Sequence, residues 1–425
     1  MRLIPVQFTV RVYAHIAVLF LVPCATTLVG ASPQAVIAWQ DVVSGSGMIR
    51  VARAEPPWDF LTPALAVNRF PVIRVAGGLV YVVSRDDGTI QVVDPTAWSI
   101  LRAYNFGPMS QPVDIAVVDG QRAFVTRHLA TRLLRLDLMS GETAEAVDLS
   151  PFADGDGIPE MGGMAVRSGR LFIAMRREAQ GGGFPSLPGQ IAVMNLLTEQ
   201  LIDADPSQPG VQPIELEGFG PKRKMRPVAG VERFVVTAAS GDLQHGGVEL
   251  VDPVDLRSAG LIVRAADGTT GLEIHTATMV TSDVGFLTFT TDLTLSSHVV
   301  RFTIGGGVDP PPSMYDIAGY EMPALEWNPF NHTLLVPVSQ PNGVHVFNAA
   351  TKAQLTVQPI PTMGPPTDIV MLCTCTDAIC PGDWTCEKGI SMAVPTLSFW
   401  GMLVLGFGIM AAATWMVRPF RSRLD

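Results

Sequence analysis

Short runs of apolar residues recur in pairs along most of the chain. In each pair an uninterrupted apolar run is followed by a turn and then by a run in which apolar and polar residues alternate. An unbroken apolar run predicts a strand buried on both faces, and period-two alternation predicts a strand with one less buried face. The second run closes on Asp or Asn, which can hydrogen-bond its own backbone and start the next turn. The pairs are 79–83 with 90–94, 123–126 with 133–137, 171–174 with 191–195, 234–237 with 248–252, 285–289 with 299–302, and 334–338 with 344–348.

The pairs repeat at the spacing of propeller blades. Their second strands end at intervals of roughly 43 to 58 residues, which suits blades with loop insertions. A further strand precedes each pair, as at 113–117 and 163–166, and residues 366–371 predict one more inner strand. This strand is expected to close the ring against strands before Arg74. We therefore predict an all-β fold, a β-propeller of about seven four-stranded blades with a composite seventh; six blades are the alternative.

The repeats resemble YVTN/lactonase-like and surface-layer propeller repeats across nearly the whole region between the two ends of the chain. This resemblance implies a scaffold, because propellers host enzymes and pure binding modules alike. It names neither a ligand nor a reaction.

The amino terminus has the pattern of a secretory signal peptide. Arg2 and Arg11 precede an apolar stretch at 16–22, and Val29-Gly30-Ala31 offers small residues for cleavage. Pro23 directly before Cys24 argues against a lipoprotein, which needs a small residue there. We expect maturation after Ala31 and export of the rest of the chain.

The carboxyl terminus combines a short motif, an apolar segment and a basic tail. About twenty residues from Leu397 to Val417 carry no charge, which is enough for one helix to cross a bilayer. This arrangement resembles the IPTL type of sorting signal that exosortase-like membrane enzymes process in Gram-negative bacteria. Phe399 departs from the usual pattern of that signal. The matching residues are Val394, Pro395, Thr396, Leu397, Ser398, Trp400 and Gly401, followed by the basic residues Arg418, Arg421 and Arg423.

The resemblance implies anchoring in the inner membrane and then removal of the signal, with release to the cell surface or outside the cell. A permanent tail anchor, in which Pro395 only starts the helix, is the alternative. The predicted organisation is a signal peptide at 1–31, a propeller at 32–372, a Cys-rich stem at 373–393 and the sorting signal at 394–425.

Charge narrows the classes of partner. The two ends hold five of the 29 Lys and Arg and one of the 39 Asp and Glu, which leaves 24 basic against 38 acidic residues between them. An acidic exported domain argues against nucleic acid and anionic lipid as partners. The one basic cluster, at 222–226, is interpreted as a solvated loop, with contact to an anion as the alternative.

Four cysteines lie in the predicted stem, between the last propeller strand and the membrane segment. Outside the cytoplasm the default is two disulfides in one of three pairings, and the spacing matches no common zinc module. These residues are Cys373, Cys375, Cys380 and Cys386.

An acidic, Gly-rich loop is the best metal candidate. Asp154, Asp156 and Glu160 supply the hard oxygen ligands that calcium prefers, although the loop lacks the ligand count of an EF-hand. An acidic turn between blades is the alternative interpretation. Calcium is the one cofactor for which the sequence offers residues.

Acidic residues on predicted inner strands form a second candidate site. Asp114 and Asp368 each lie two residues after a proline at the start of such a strand, and Glu273 and His275 lie on the corresponding strand of another blade. Because inner strands line the channel, these groups could converge on a cation or polar ligand. Alternatively, the carboxylates bond backbone N–H groups.

Two functions remain open. The first is a binding or structural protein of the cell envelope or extracellular matrix, whose insertions at 150–161, 177–190, 205–226 and 305–320 carry recognition of a protein or polysaccharide. The second is a propeller enzyme, such as a lactonase-like hydrolase. No G-x-S-x-G elbow, phosphate loop or metal-binding His spacing is present in the sequence, so no residue is predicted to be catalytic.

Overall fold

A computed structural model of the chain describes residues 32–372, apart from 179–184, 186, 223, 229, 239–243, 267–272, 291–295, 311, 318–321 and 323. The predicted signal peptide, the four stem cysteines, the sorting signal and its apolar segment all lie outside the described residues. No helix within the described part is long and apolar enough to span a membrane.

The described residues form seven antiparallel sheets and one 3₁₀ helix, Ser150–Phe152. The first three strands, which belong to the last blade, are β1 Gln34–Gln40, β2 Gly47–Arg53 and β3 Leu65–Val67. Blade 1 contains β4 Val72–Ala76, β5 Leu79–Ser84, β6 Thr89–Asp94 and β7 Ser99–Asn105. Blade 2 contains β8 Pro112–Val117, β9 Arg122–Arg127, β10 Arg132–Asp137 and β11 Thr143–Asp148. Blade 3 contains β12 Met161–Arg167, β13 Arg170–Met175, β14 Pro188–Asn195, β15 Gln200–Ile202 and β16 Ile214–Phe219.

The remaining blades follow the same order from the inner to the outer strand. Blade 4 contains β17 Arg226–Pro227, β18 Phe234–Ala238, β19 Gly247–Asp252 and β20 Arg257–Arg264. Blade 5 contains β21 Glu273–Met279, β22 Val284–Thr290, β23 Ser297–Thr303, β24 Gly307–Val308 and β25 Tyr315–Ile317. Blade 6 contains β26 Glu326–Asn328, β27 Thr333–Ser339, β28 Asn342–Asn348 and β29 Ile360–Pro361, and blade 7 is completed by β30 Pro366–Leu372.

Blade 7 joins the two ends of the propeller. Its sheet order is β3-β2-β1-β30, so the last strand of the propeller is innermost and the first three complete the blade. Ile37 of β1 lies opposite Ile369 of β30 in an antiparallel register. The predicted seven-bladed architecture with a composite seventh blade is therefore confirmed, and the six-bladed alternative is wrong.

The hydrophobic core is divided among the interfaces between neighbouring blades. Side chains alternate across each strand, so Val80 and Val82 of β5 pack toward blade 7 whereas Tyr81 and Val83 pack toward blade 2. A cluster of buried residues occurs at every one of the seven interfaces in the described structure. Each blade thus buries both faces, which explains why the second strands are apolar almost throughout.

Blades 3 and 5 have an outer strand in two pieces. Residues 193–195 of β14 pair with β15, and residues 188–191 of the same strand pair with β16. In blade 5, β23 pairs with both β24 and β25 in the same manner. Two of the predicted recognition insertions therefore contain an edge strand, and the loops that remain start and end at the rim.

The Asp or Asn that closes a second strand caps the turn after it. Asp137 Oδ1 accepts hydrogen bonds from the N–H groups of Met139 and Ser140, at 2.8 and 2.7 Å. Asn195 and Asp252 make equivalent pairs of bonds in the next two blades. The repeated polar residue thus has a local structural role.

The composite blade predicts a large effect of one buried side chain. Trp39 of β1 is 1% exposed and packs in the cluster between blades 6 and 7. We expect Trp39→Ala to lower the free energy of unfolding by about 3–5 kcal/mol, because it leaves a cavity in the core where blade 7 closes the circle of blades. Urea unfolding followed by tryptophan fluorescence and circular dichroism measures the change.

Val43 provides the matched control in the same blade. It lies in the turn after β1 and is 91% exposed, so Val43→Ala should change the free energy of unfolding by less than about 0.5 kcal/mol. Equal effects of the two substitutions would show that the closure does not limit stability.

Candidate functional site

The innermost strands of all seven blades enclose a cavity of about 90 Å³ on the propeller axis. Residues from β4, β8, β12, β17, β21, β26 and β30 contribute to its wall, as the convergence of inner strands requires. Most of the wall is apolar. The charged residues among those that line it are Arg74, Lys224, Arg226 and Glu326.

Three carboxylates near the axis each join their own blade to the next one, at three of the seven junctions between blades. Asp114 of blade 2 accepts a hydrogen bond from the Met164 N–H of blade 3, at 2.7 Å. Asp368 of blade 7 accepts one from the Ile73 N–H of blade 1, at 2.8 Å. Glu326 of blade 6 accepts one from the N–H of Met371 in blade 7, at 3.0 Å.

Each of these carboxylates also binds a cation. Arg74 Nε lies 2.7 Å from Asp114 Oδ1, and Arg74 Nη2 donates to Asp114 Oδ2 at 2.8 Å. Lys224 Nζ lies 2.5 Å from Asp368 Oδ1, and Arg226 Nη1 lies 2.5 Å from Glu326 Oε2. All six side chains are at most 18% exposed. Buried charge thus occurs here as pairs that are also bonded to the backbone.

Glu273 and His275 take a different place from Asp114 and Asp368. Glu273 bonds to Lys222, and His275 Nε2 bonds to the Thr290 hydroxyl. Neither side chain is among the residues that line the cavity. The four channel candidates are therefore not brought together as one constellation among the described residues.

The interpretation of the basic run at 222–226 as a solvated loop is wrong. Its described members Lys222, Lys224 and Arg226 each pair with a carboxylate from another blade, and Lys224 and Arg226 face the cavity. Charge runs are usually solvated, but this one immediately precedes and begins an inner strand, β17. Seven converging strands provide the partners that make its burial tolerable.

Sequence reasoning also missed Glu326 and Arg74. A signal was available, because Glu326 and Arg74 each lie three residues after a proline, at Pro323 and Pro71, close to the spacing of Asp114 from Pro112. Proline followed closely by a charged residue marks the start of an inner strand in this propeller.

Burial affects the titration of the lysine in the channel. The pKa of Lys224 is lowered to about 8: desolvation is the largest cause, Arg74 and Arg226 also lower the pKa, and Asp368 and Glu326 raise it. The Lys224 ammonium therefore loses its proton as the pH rises through about 8.

The acidic loop between β11 and β12 brings its three predicted ligands together. One oxygen of each of Asp154, Asp156 and Glu160 lies within 4.8 Å of the others. Asp154 Oδ1 accepts the Asp156 N–H at 3.1 Å, and Asp156 Oδ1 accepts the Ile158 N–H at 2.8 Å. The geometry suits a hard cation, and the calcium site stays a prediction.

Glu160 is the buried member of this loop and is 3% exposed. Its pKa is raised to about 8: desolvation is the largest cause, the charges of Asp156, Asp154 and Glu178 also raise the pKa, and the hydrogen bond from the Glu178 N–H lowers it. Glu178 lies beside His128, at 3.5 Å, and Arg176, at 2.8 Å. Burial raises the pKa of Glu178, but these two neighbours outweigh burial and lower it.

Comparison with solved structures identifies the fold. The chain is similar to a candidate 6-phosphogluconolactonase of Bacteroides fragilis, with 13% identity, a TM-score of 0.55 and coverage of 80% of this chain and 98% of that one. A candidate 6-phosphogluconolactonase of Bacteroides uniformis has 12% identity, a TM-score of 0.54 and coverage of 80% and 99%. A Lactobacillus plantarum protein has 12% identity, a TM-score of 0.57 and the same coverage. A scan against protein-family models and a search of curated proteins give no match.

These similarities show the propeller fold, and the neighbours include lactonase-like propellers. At such low identity they carry no site residue or activity to this chain.

The ion pairs predict a stability change that depends on pH. We expect Asp368→Asn to destabilise the protein by about 3–5 kcal/mol near pH 6, because it leaves charged Lys224 buried without its partner. Asp368 raises the pKa of Lys224, which is about 8 in the fold, so the variant lysine loses its proton at a lower pH than the wild-type lysine. The penalty should therefore shrink as the pH rises toward 8 and be smallest above 8, where the amine is neutral in both proteins. Urea unfolding over a pH series measures both effects.

Two further variants make the interpretation specific. Asp368→Asn combined with Lys224→Met should recover part of the loss, because no unpaired charge remains. Asp59→Asn breaks the exposed Arg53–Asp59 pair and should cost less than about 1 kcal/mol. A penalty for Asp368→Asn that is independent of pH would contradict the pairing.

The acidic loop predicts a calcium response that increases with pH. Because the pKa of Glu160 is raised to about 8 in the fold, its stabilising contribution is present at low pH and is lost as the pH rises through 8. Bound calcium would hold the carboxylate ionised and remove that loss. We expect calcium to raise the Tm more at pH 8.5 than at pH 6, as measured by scanning calorimetry against a chelator.

Glu160→Gln should abolish the calcium response, whereas Glu142→Gln, a change at an exposed residue, should leave it intact. The same rise in Tm in wild type and Glu160→Gln would argue for the acidic-turn interpretation.

Proposed function

We propose that this chain is an exported propeller with a binding or structural role at the cell surface, and that its carboxyl-terminal signal is removed by an exosortase-like membrane enzyme. The observation that carries the non-catalytic role is the bonding of the axial carboxylates. Asp114, Asp368 and Glu326 each bind both a backbone N–H group and a cation.

A catalytic base or a metal ligand needs a lone pair free for substrate or metal. Paired in this way, the three axial carboxylates are poor candidates for either role. The channel therefore supports a scaffold interpretation better than a hydrolytic centre.

Recognition of a larger surface partner is assigned to the insertions. The segment 203–213 joins β15 to β16, and 309–314 joins β24 to β25, so both start and end at the outer edge of a blade. Loops held by a rigid scaffold can vary without disturbing the cores between blades.

One observation favours the second candidate, a lactonase-like hydrolase. Glu160, with a raised pKa, lies beside Glu178, with a lowered pKa, and the Glu178 N–H donates to Glu160 Oε2 at 3.2 Å. Two carboxyl groups with opposite shifts can serve as acid and base. This cluster, and not the channel, is where hydrolysis would be sought.

Fractionation of the native host tests the proposal. We expect intact mass to show a species at the cell surface or in the medium that lacks both the signal peptide and the segment after the sorting motif. Pro395→Ala combined with Trp400→Ala should leave the full-length mature chain in the inner membrane, because the motif is no longer recognised.

Met392→Ala, just outside the motif, is the control and should be processed normally. A wild-type chain that stays full length in the inner membrane would make the tail a permanent anchor. Lactone hydrolysis by the purified chain that is lost in Glu178→Gln would replace the binding role with the enzymatic one.

A further inference from the structure

The wall of the axial cavity carries more positive than negative charge. Arg74, Lys224 and Arg226 line it, whereas Glu326 is the one carboxylate among the lining residues. Asp114 and Asp368 are 0% and 3% exposed and lie behind the wall, bonded to backbone N–H groups. Each of these cations is paired with a carboxylate, but three of the four charged residues that line the cavity within the described structure are cations. A small anion that enters the cavity therefore has cations within its reach.

Arg226 has hydrogen-bonding capacity that no described residue uses. Its Nη1 donates to Glu326, while its Nε and Nη2 are buried and have no hydrogen-bond partner in the described part of the chain. In a planar guanidinium these two nitrogens lie on one edge, and their parallel N–H groups match the two oxygens of a carboxylate. Buried donors are rarely left unsatisfied in native proteins.

Arg74 and Lys224 differ in how many of their hydrogen-bond donors are already used. Arg74 uses Nε and Nη2 on Asp114, so its fork is occupied. Lys224 uses one contact on Asp368, and an ammonium group has three donors, so it retains capacity for a second acceptor. Arg226 and Lys224 are two residues apart on the segment that begins β17, and both are among the residues that line the cavity, although Nε and Nη2 of Arg226 are covered.

The size and polarity of the remaining wall limit the ligand. A volume of about 90 Å³ is several times the roughly 10–15 Å³ that one water molecule needs by the same measure. Ala76, Met164 and Trp327 contribute apolar surface. The space therefore suits a carboxylate group that carries a short apolar part.

We propose that the propeller channel binds a small carboxylate, which pairs with Nε and Nη2 of Arg226 and with the ammonium of Lys224. The apolar wall contacts the carbon atoms of the ligand. Both guanidinium nitrogens are covered in this conformation, so binding requires the group to turn toward the lumen while Nη1 keeps Glu326. This site is separate from the rim insertions and does not depend on where the protein is displayed.

Lys224 adds a signature to this binding. Its pKa is lowered to about 8 by burial, and a bound anion beside the ammonium raises it again. Binding near pH 8 therefore takes up protons, and the measured enthalpy should vary with the ionisation enthalpy of the buffer.

Isothermal titration calorimetry of the purified full chain with acetate, at constant ionic strength set by chloride, tests the site. Saturable binding with proton uptake near pH 8 is expected. Arg226→Lys keeps a charge for Glu326 but lacks the fork, so affinity should fall at least about ten-fold. Arg132 forms an exposed ion pair on blade 2 and does not line the cavity. Arg132→Lys should therefore keep the acetate affinity within about two-fold of that of wild type.

A second variant guards against misfolding of the first. Val166 lines the cavity and also packs against the core between blades 2 and 3. Val166→Phe therefore narrows the lumen without changing any charge and should weaken acetate binding to a similar extent, with circular dichroism used to check that the variant is folded. Heat that changes with ionic strength but not with the acetate concentration would overturn the proposal, because water would then satisfy the free donors of Arg226. So would unchanged affinity in Arg226→Lys and Val166→Phe, or binding of inorganic phosphate with which acetate does not compete.

Titration with glucuronate shows whether the carboxylate belongs to a sugar acid or to a free small carboxylate. Affinity at least about ten-fold above that of acetate would identify the group as part of a sugar acid whose ring extends out of the mouth. Equal or weaker affinity would identify a free small carboxylate. Either result supports the site.

Discussion

The fold depends on bonds that cross from one blade to the next at the axis. Asp368 and Ile73 are 295 residues apart in sequence, and their hydrogen bond links the inner strand of blade 7 to that of blade 1, beside the β1–β30 pairing that joins the two ends of the propeller. The pairing of buried charges is close to balanced in free energy, because desolvation offsets attraction. The ion-paired carboxylates contribute to geometry, because each can accept its backbone N–H bond only when the next inner strand is in the correct register. Burial of apolar side chains at the seven interfaces supplies the driving force.

This arrangement separates charge across the channel wall. Asp114 and Asp368 bond to backbone N–H groups behind the wall, whereas the charged residues that line the lumen are Arg74, Lys224, Arg226 and Glu326. A carboxylate that fixes the backbone is not available for chemistry, and a cation with free donors is available for binding. The bonding that closes the ring therefore also limits what the channel can do, and favours binding an anion over general-base catalysis.

Much of the fold could be predicted because its signals are local. Unbroken apolar runs located the second strands of six blades, period-two alternation located the third strands, and residues 366–371 predicted the closing strand. The acidic loop was also visible, because Asp154, Asp156 and Glu160 lie within seven residues. The pairing of Lys224 and Arg226 was not, because their partners lie 144 and 100 residues away. A proline before a charged residue marks where an inner strand starts, but the sequence of one strand does not show which charges meet when seven strands converge.

The split outer strands place two of the insertions at the rim of the propeller. In blades 3 and 5 the chain leaves the sheet after one short strand and returns to pair with the same neighbour, so each insertion starts and ends at the rim. A loop held in this way can change without altering a core between blades. The lumen, by contrast, has a volume of about 90 Å³. In the binding roles that we propose, a large partner fits the rim segments 203–213 and 309–314 and a small anion fits the axis, because neither segment contributes a described residue to the cavity wall.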